Sequence, residues 1–247
     1  MGEAATLGKG IQGVIMRAYR SRDYTITLTG VRDLGPHYRR LWFSAPDLLA
    51  AHRYYPSMWI RVWFPGPGRL FQRAYTVVDP EASAGTFALD FALHDSGYAM
   101  DFARTAQPGA TLQVSVLVSA NSEYAMPDPP PPGFVMVADP ASLPAVNSIL
   151  PTLPSGLPIR LWLGRQHDGD DDLPLADHPR LHASWVLHER LAEVVGAELG
   201  DVRGWYGWVC VDTAQTRAIK ALLREATGAG KRDGHAMGYW TRGKPTG

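Results

Sequence analysis

The chain has 247 residues, of which 45% are hydrophobic and 19% are charged, a composition typical of a globular protein. Basic and acidic residues number 24 each, so the formal net charge is zero and we expect no nucleic-acid partner. The single cysteine excludes an internal disulfide and fits a reducing compartment. No apolar run approaches the roughly 18 residues of a membrane helix, and the N-terminus lacks a secretory-signal pattern, so we expect a cytoplasmic protein.

The first half of the chain has the period-two alternation of half-buried β-strands. Apolar and other side chains alternate over residues 24–29, 60–64 and 87–93, with Pro-Gly-rich breaks between these runs. We expect one helix over residues 98–106 and a further strand over residues 111–118. Short strands separated by turn signals predict a small antiparallel barrel.

A proline-rich stretch divides the chain near its middle. Residues 126–133 include five prolines and a glycine, which can neither continue a helix nor donate a full sheet ladder. We therefore predict a barrel domain over residues 1–126, a linker over 127–133 and a second domain over 134–247.

The second half alternates strands with helices. Residues 134–138 form a continuous apolar run, typical of a strand that is buried on both faces. Further strands are predicted over 159–163, 181–187 and 205–211, and helices after Ser142, over 189–199 and over 214–227. Ser142 and Thr213 are the predicted helix N-caps. This order predicts a parallel sheet with helices on its faces.

Three segments could hold a flat cofactor. In Arg73-Ala74-Tyr75-Thr76, the tyrosine can stack on a flavin, the threonine can meet its polar edge and the arginine can bind phosphate or a ring oxygen. The alternative is an ordinary exposed strand. Residues 90–94 lead into a helix N-terminus that suits a pyrophosphate; alternatively, Ser96 only caps that helix and His94 is a surface residue. The aromatic pair within residues 238–243 either closes the core or covers the ligand.

Together these segments resemble the siderophore-interacting proteins, FAD-dependent ferric-siderophore reductases. The resemblance rests on the RxYT strand, the strand ending at Leu93-His94, residues 137–139 before a helix start at 143–145, and the terminal GYWxxG. Residues 10–16, 71–76 and 205–209 also resemble the siderophore-interaction domains of mycobacterial mycobactin importers.

The resemblance implies a ferredoxin-reductase-like fold, with an N-terminal antiparallel FAD-binding barrel followed by a small parallel α/β, NAD(P)H-binding-like domain. It implies non-covalent FAD, NADPH or NADH as electron donor, and release of Fe(II) from a ferric siderophore of the mycobactin or carboxymycobactin type. It also implies, as partners, the transmembrane part of an ABC importer and the inner membrane surface. No side-chain acid or base is required for the iron step. The implied cofactor-binding residues are Arg73, Ala74, Tyr75, Thr76, Asp90, Phe91, Ala92, Leu93, His94, Ala99, Met100, Tyr239, Trp240 and Thr241.

Two departures from the family pattern leave alternatives open. Residues 97–100 read Gly-Tyr-Ala-Met where the family has a Gly-Pro-Ala-Ser-like stretch. Residues 209–212 read Val-Cys-Val-Asp where the family has a small-Gly-Glu turn near the nicotinamide nucleotide, although Asp212 could replace the acid. The alternatives are a non-catalytic module that binds siderophore or regulates a transporter, and a reductase of an organic acceptor.

The remaining acidic, basic, histidine and cysteine residues do not indicate a further binding site. We expect the acidic loop over 168–172 to be a solvated turn, Cys210 to be a buried inert thiol, and no zinc site at His178, His182 and His188. Solvated charges are expected at Arg17, Arg20, Arg22, Arg39 and Arg40. An apolar stretch over residues 11–16, followed by Arg17 and Arg20, is a hypothetical contact with a membrane surface.

Overall fold

The computed structural model describes residues 8–10, 21–116, 124–230 and 234–243. The chain divides into two compact units. The first comprises most of the chain up to Glu123, and the second comprises Tyr124 onward together with the segment Leu34–Tyr38. The predicted membrane-contact stretch over residues 11–16, with Arg17 and Arg20, lies outside the described residues.

The first unit is a closed six-stranded barrel with the strand order β1-β2-β5-β4-β3-β6. Its strands are β1 (Arg22–Gly35), β2 (Tyr38–Ser44), β3 (Trp59–Gly66), β4 (Arg69–Glu81), β5 (Thr86–Ala92) and β6 (Thr111–Val116). The pairs of β1 with β6, β3 with β4 and β6, and β4 with β5 are antiparallel. Among the described strands the sheet closes on itself through the pairing of β1 with β6. The predicted antiparallel barrel is confirmed.

Two short helices of this unit lie wholly within the described residues, α1 (Pro46–Ala51) and α2 (Tyr98–Thr105). The alternating residues predicted for the core are buried: Ile60, Val62 and Phe64 on β3 are all 0% exposed. Helix α2 lies where the sequence predicted a helix. Residues 117–118 of the last predicted barrel strand fall outside the described part of the chain.

The second unit contains a five-stranded sheet with the order β11-β10-β7-β8-β9, in which every pairing is parallel. Its strands are β7 (Phe134–Ala138), β8 (Ile159–Arg165), β9 (Leu181–Leu187), β10 (Tyr206–Cys210) and β11 (Gly234–Ala236). Its helices are α3 (Leu143–Ile149), α4 (Leu191–Glu198) and α5 (Thr213–Thr227), with 3₁₀ turns at Leu150–Thr152, Asp170–Asp172 and His188–Arg190. All five residues of the central strand β7 are buried, as the continuous apolar run predicted.

Of the two predicted N-caps, Ser142 occupies its predicted position and Thr213 does not. Helix α5 begins at Thr213 itself, and the Asp212 carboxylate accepts hydrogen bonds from the backbone N–H groups of Ala214 and Gln215. Ser142 stands at the N-cap of α3, but its side chain makes no capping hydrogen bond. Its hydroxyl oxygen instead accepts the backbone N–H of Asp139 at 3.0 Å. A carboxylate adjacent to the helix start competes better for the first amides than a hydroxyl within it.

Several charges that we expected to be solvated are in fact bound. Asp170 is 3% exposed and accepts the backbone N–H groups of Gln166 and His167, so only part of the acidic loop is a solvated turn. Arg39 binds Asp33 and two carbonyls of α2, and Arg40 binds Asp90 and Asp79. The α2 carbonyls bound by Arg39 and the carboxylates bound by Arg40 are distant in sequence, so the sequence alone did not reveal them. Cys210 is buried as expected, and burial raises the pKa of its thiol.

Candidate functional site

The Arg73–Thr76 segment lies in the middle of β4, opposite β3. Tyr75 pairs with Ile60 and Thr76 pairs with Trp59. The Tyr75 ring is half-buried and packs on Phe91, with 4.3 Å between ring centroids, and more distantly on Phe64 at 6.0 Å. Two aromatic residues from neighbouring strands therefore hold the phenol ring in place, in a residue that is only partly buried.

Arg73 lies beside this ring in a partly desolvated environment. Its Nη1 donates to the backbone carbonyl of Gln72 at 2.7 Å. Burial lowers the pKa of the Arg73 guanidinium, and the same cause raises the pKa of the Tyr75 hydroxyl well above its usual range, with the Arg73 charge opposing that rise. A cation with reduced hydration interacts more strongly with an anionic or electron-rich group brought next to it.

The end of β5 presents fewer side chains to a ligand than the sequence suggested. Phe91 is 0% exposed and Leu93 is 9% exposed, and both belong to the barrel core. The Asp90 carboxylate is paired with Arg40, with distances of 2.7 and 2.9 Å. Only Ala92 and His94 of this predicted segment have side chains at the surface. The other three residues can line a cofactor through their backbone alone.

His94 is a neutral hydrogen-bonding group at neutral pH. Burial lowers the pKa of its imidazole, and the positive charges of Arg104 and Arg73 lower it further. Its backbone is fixed on both sides: the N–H donates to the Met100 sulfur at 3.4 Å, and the carbonyl accepts from the Arg104 guanidinium. A neutral imidazole offers one donor and one acceptor, which suits the edge of a ring that carries both kinds of group.

The N-terminus of α2 fits a bound phosphate. The N-cap residue is Gly97, and no side chain caps this helix end, so the alternative in which Ser96 serves only as the cap is wrong. Ala99 and Met100 are 7% and 3% exposed, which means that their side chains face the core and only their backbone N–H groups can approach a ligand. Uncapped amides and the positive end of the helix dipole together favour an anion.

The C-terminal residues predicted to contact the cofactor belong to the second unit. Tyr239 donates its backbone N–H to Val211, and the Trp240 indole donates to the Asp139 carboxylate at 2.7 Å. Thr241 forms a hydroxyl–hydroxyl hydrogen bond with Thr213 at 2.8 Å. The structure thus anchors all three residues near the carboxyl ends of β7 and β10.

The sequence analysis did not single out Arg61 on β3. Its guanidinium lies over the Trp59 ring, 5.1 Å from the centroid, and burial lowers its pKa. Its Nε is buried and has no hydrogen-bond partner in the part of the chain that the structure describes. Trp59 is the strand partner of Thr76, so Arg61 belongs to the same stretch of the barrel as the RxYT segment. No sequence motif marked it; the signal was a basic residue between two tryptophans on an alternating strand.

Asp212 is not available to replace the nucleotide-binding acid. One carboxylate oxygen caps α5, and the other accepts from His188 Nε2 at 2.8 Å. His188 itself is 2% exposed and does not belong to a surface histidine cluster. In the described residues, no set of three His, Cys, Asp or Glu side chains is arranged to hold a metal ion.

Comparisons with known proteins define the class to which this fold belongs. The structure is similar to the siderophore-interacting protein SipS from Aeromonas hydrophila, with a TM-score of 0.74 and 22% identity over 91% of this chain and 93% of that one. It is also similar to the ferredoxin-NADP⁺ reductase from Plasmodium falciparum, with a TM-score of 0.66 and 11% identity over 88% and 97% of the two chains. The fold is therefore ferredoxin-reductase-like, as predicted.

Sequence comparisons narrow the class to a family. Residues 57–116 match the siderophore-interacting FAD-binding domain, and residues 131–243 match the siderophore-interacting protein family. The mycobactin import ATP-binding/permease protein IrtA of Mycobacterium tuberculosis is 37% identical over 98% of this chain. The chain spans only 28% of the length of that relative. The chain belongs to the siderophore-interacting proteins and carries their FAD-binding domain.

The residues present fit an FAD. A half-buried Tyr75 ring provides a stacking surface, neutral His94 provides a donor and an acceptor, and the uncapped start of α2 provides amides for a pyrophosphate. None of the helices in the described parts of the chain combines the length and apolarity that a membrane crossing requires.

Proposed function

We propose that the chain is an FAD-dependent ferric-siderophore reductase that releases iron as Fe(II). The observation that carries the proposal is the arrangement around β4: a partly buried Tyr75, a neutral His94 and an uncapped helix N-terminus, all within the matched FAD-binding region. These three features match the three parts of the cofactor, namely a flat ring, a polar ring edge and a pyrophosphate.

The residues of this site position the cofactor. In the proposal, Tyr75 stacks on the isoalloxazine ring, Arg73 and Thr76 hold its polar edge and ribityl chain, and His94 hydrogen-bonds the cofactor. The backbone of residues 90–93 and the amides of Ala99 and Met100 line the ring and the pyrophosphate. Tyr239, Trp240 and Thr241 are further proposed ring contacts.

Bound FAD would supply electrons one at a time to the ferric chelate. Siderophores bind Fe(III) through hard oxygen ligands, and Fe(II) is a weaker partner for such ligands, so reduction favours release of the metal. The protein then has to hold the chelate close enough to the flavin for electron transfer. No side-chain acid or base is needed for this step. Arg61, a desolvated cation beside Trp59, is suited to meet an anionic acceptor.

NADPH or NADH is the proposed electron donor. One residue that could have bound it, Asp212, is occupied by other contacts in the structure. Asp212, the one acid in the position of the family's small-Gly-Glu turn, is fully engaged by His188 and α5. Donor binding must therefore rely on other groups, and we expect a weaker donor complex than a reductase with the usual turn would form.

The proposed substrate is a siderophore of the mycobactin or carboxymycobactin type, supported by 37% identity to a protein named for mycobactin import. The same relative supports a partnership with the transmembrane part of an ABC importer at the cytoplasmic face of the inner membrane. The relative is much longer than this chain, so both the substrate and the partner are proposals.

The alternative is a non-catalytic module that captures siderophore or regulates a transporter. It is favoured by the engagement of Asp212, which removes a candidate donor-binding acid. A reductase that acts on an organic acceptor is a third possibility, which a panel of acceptors would reveal.

The test begins with the absorbance spectrum of the purified protein, before and after addition of FAD. Protein photoreduced without NAD(P)H is then mixed anaerobically with ferric carboxymycobactin and an Fe(II) trap. We expect flavin bands, loss of ferric-chelate absorbance and a trapped Fe(II) signal. A colourless folded protein that takes up no FAD overturns the cofactor assignment, whereas a reduced flavoprotein that leaves the chelate intact overturns only the reductase. Rates of NADPH and NADH oxidation then identify the donor.

A further inference from the structure

Three titratable side chains that the proposed reaction does not use meet at the carboxyl edge of the parallel sheet. Asp139 follows β7, His188 follows β9 and Asp212 follows β10, and they are 0%, 2% and 8% exposed. The carboxyl ends of parallel strands lie along one edge of a sheet, which explains how residues so distant in sequence form one buried cluster.

His188 lies between the two carboxylates. Its Nε2 donates to Asp212 Oδ2 at 2.8 Å, and its Nδ1 lies 4.0 Å from Asp139 Oδ2. Nδ1 is buried and has no hydrogen-bond partner among the described residues. On the other side, a Cβ added to Gly164 would lie 2.8 Å from Nδ1, so the ring packs directly against the backbone of β8. Only a glycine at this position leaves room for the ring.

The two carboxylates hold the start of α5 and the C-terminal residues. Asp212 Oδ1 caps α5 through Ala214 and Gln215, and Asp139 Oδ2 accepts the Trp240 indole N–H at 2.7 Å. We call residues 238–241 the tail segment. Its backbone is bound through Tyr239 N–H to Val211 and through Thr213 N–H to the Trp240 carbonyl, both at 2.8 Å. The Asp139–Trp240 hydrogen bond joins this segment to the residue that follows β7. The Trp240 ring also packs on the His188 ring with 5.4 Å between centroids, and the Thr213 hydroxyl bonds the Trp240 carbonyl and the Thr241 hydroxyl.

The charge of the cluster depends on one proton. With a neutral imidazole that donates from Nε2 to Asp212, the Nδ1 lone pair faces the Asp139 carboxyl oxygen, which is unfavourable at low dielectric. With an imidazolium, each nitrogen presents an N–H to one carboxylate. Burial raises the pKa of Asp139, while its hydrogen bond from Trp240 and the charge of His188 oppose that rise. The ion pairs found for Asp139 and Asp212 within the described residues are both with His188.

The other groups around the cluster do not replace that proton. Cys210 on β10 is buried, and burial raises the pKa of its thiol, so it stays neutral. Arg165, at the end of β8, pairs with the exposed Asp168 at 4.0 Å. Gln215 of α5 donates to the His188 carbonyl at 2.8 Å and carries no charge. The imidazolium is therefore the cation available to both carboxylates.

We propose that His188 is a positioning residue for Trp240: as an imidazolium it bridges Asp139 and Asp212 and thereby locks the tail segment onto the sheet. Loss of the proton removes the bridge, so the Asp139–Trp240 hydrogen bond weakens and the tail segment opens more often. All of these contacts lie within the second unit. The proposal therefore does not depend on the flavin or the reductase activity proposed above.

The test measures backbone hydrogen exchange of Tyr239 and Thr213 by NMR on the full chain between about pH 5 and pH 9, corrected for intrinsic exchange. In the unaltered protein, protection of these two amides falls as the pH rises. In His188→Gln, we expect protection to be at least about tenfold lower at pH 5 and independent of pH, since no cation is present to bridge the carboxylates. The matched control is His182→Gln, an exposed histidine on β9, which keeps the original pH dependence.

A second variant keeps the proposal testable if His188→Gln does not fold. Asp139→Asn removes the charge that the imidazolium bridges, so the pH dependence of amide protection is lost. The level of protection falls as well, because a single amide oxygen cannot accept both from Trp240 and from the N–H groups of Ala141 and Ser142. Tail protection in His188→Gln that matches the His182→Gln control at every pH would overturn the proposal. An unchanged pH dependence in Asp139→Asn would overturn it equally.

Discussion

Arg40 reaches Asp90 with two hydrogen bonds, from Nε to Oδ1 at 2.7 Å and from Nη2 to Oδ2 at 2.9 Å, across 50 positions of sequence. The Asp90 side chain is 3% exposed, whereas Arg40 is 16% exposed and also binds Asp79 at 2.7 Å. One guanidinium therefore connects β2 with β5 and β4, and it supplies the charge that a buried carboxylate on the barrel wall requires.

Replacement of Arg40 tests this connection. Arg40→Gln leaves the Asp90 carboxylate buried without its cation, and we expect the free energy of unfolding to fall by about 2–4 kcal/mol. Urea unfolding followed by fluorescence measures the change. Arg190→Gln is the control, since it removes the exposed pair with Glu193 and should leave the urea midpoint unchanged. Equal midpoints for the two variants would show that the Arg40 pair contributes no more than a surface ion pair.

Tyr75 provides the test of ring stacking. Tyr75→Ala removes the aromatic face, and we expect at least about a tenfold loss of FAD affinity. Tyr75→Phe keeps the ring and its packing on Phe91, so its affinity should stay near that of the unaltered protein. Titration of the apoprotein with FAD, followed by flavin fluorescence, gives both constants. If Tyr75→Ala binds FAD as tightly as Tyr75→Phe does, the ring is not a stacking surface.

The N-terminus of α2 can be tested by adding charge beside it. Ser96→Glu places a carboxylate next to uncapped amides, where it favours the helix but competes with a phosphate. We expect FAD affinity to fall by about three- to tenfold while the free energy of unfolding stays the same or rises. Ser96→Gln is similar in size and uncharged, and it should affect neither quantity. A Glu variant that retains full affinity would argue against a phosphate at this helix end.

His94 predicts a pH effect with a definite sign. Burial and the charges of Arg104 and Arg73 lower the pKa of His94 in the folded protein. Below about pH 6.5, the ordinary value, the unfolded chain therefore binds the proton more readily than the folded one. The contribution of His94 to stability is complete above that pH and is lost as the pH falls through the folded pKa.

The measurement is an NMR titration of the His94 ring, combined with urea unfolding of the protein and of His94→Gln. The ring should titrate below pH 6.5, and the variant should lose less stability than the unaltered protein between pH 7 and pH 5. A ring that titrates above the ordinary value would contradict the assigned environment.

We expect Arg61 to lower the free energy of unfolding while it contributes to binding of an anionic acceptor. Its buried Nε has no hydrogen-bond partner within the described residues, so Arg61→Leu should raise the free energy of unfolding by about 1 kcal/mol. If the guanidinium meets an anionic acceptor, the same variant should bind FAD normally but require more ferric chelate for half-maximal reduction. Calorimetric unfolding and steady-state reduction assays measure the two effects. A variant that is less stable and fully active would contradict both expectations.

The local sequence patterns were sufficient to predict the architecture of the two units, an antiparallel barrel and a parallel sheet with helices. Alternation on β3 and β5 predicted half-buried strands, and the apolar run of β7 predicted a strand buried on both faces. The RxYT segment and the aromatic residues near the C-terminus then suggested the family. These features are readable because each depends on residues that are neighbours in sequence.

Contacts between distant residues could not be read in this way. Helix α5 is capped by Asp212 where the sequence favoured Thr213, and His188 joined neither a surface cluster nor a metal site but two buried carboxylates. The burial of Phe91 and Leu93, which leaves only their backbone for a cofactor, likewise depended on how the strands close.

The sequence by itself determined most of the strands and helices, since burial period and turn residues are local properties of the chain, but it did not reveal β2, α1 or β11. Only the tertiary structure decided the partners of the polar groups, because parallel strands bring Asp139, His188 and Asp212 to one edge and barrel closure brings Arg40 to Asp90. A buried charge requires an opposite charge close to it in space, and the order of residues in the sequence does not show which residues are close in space.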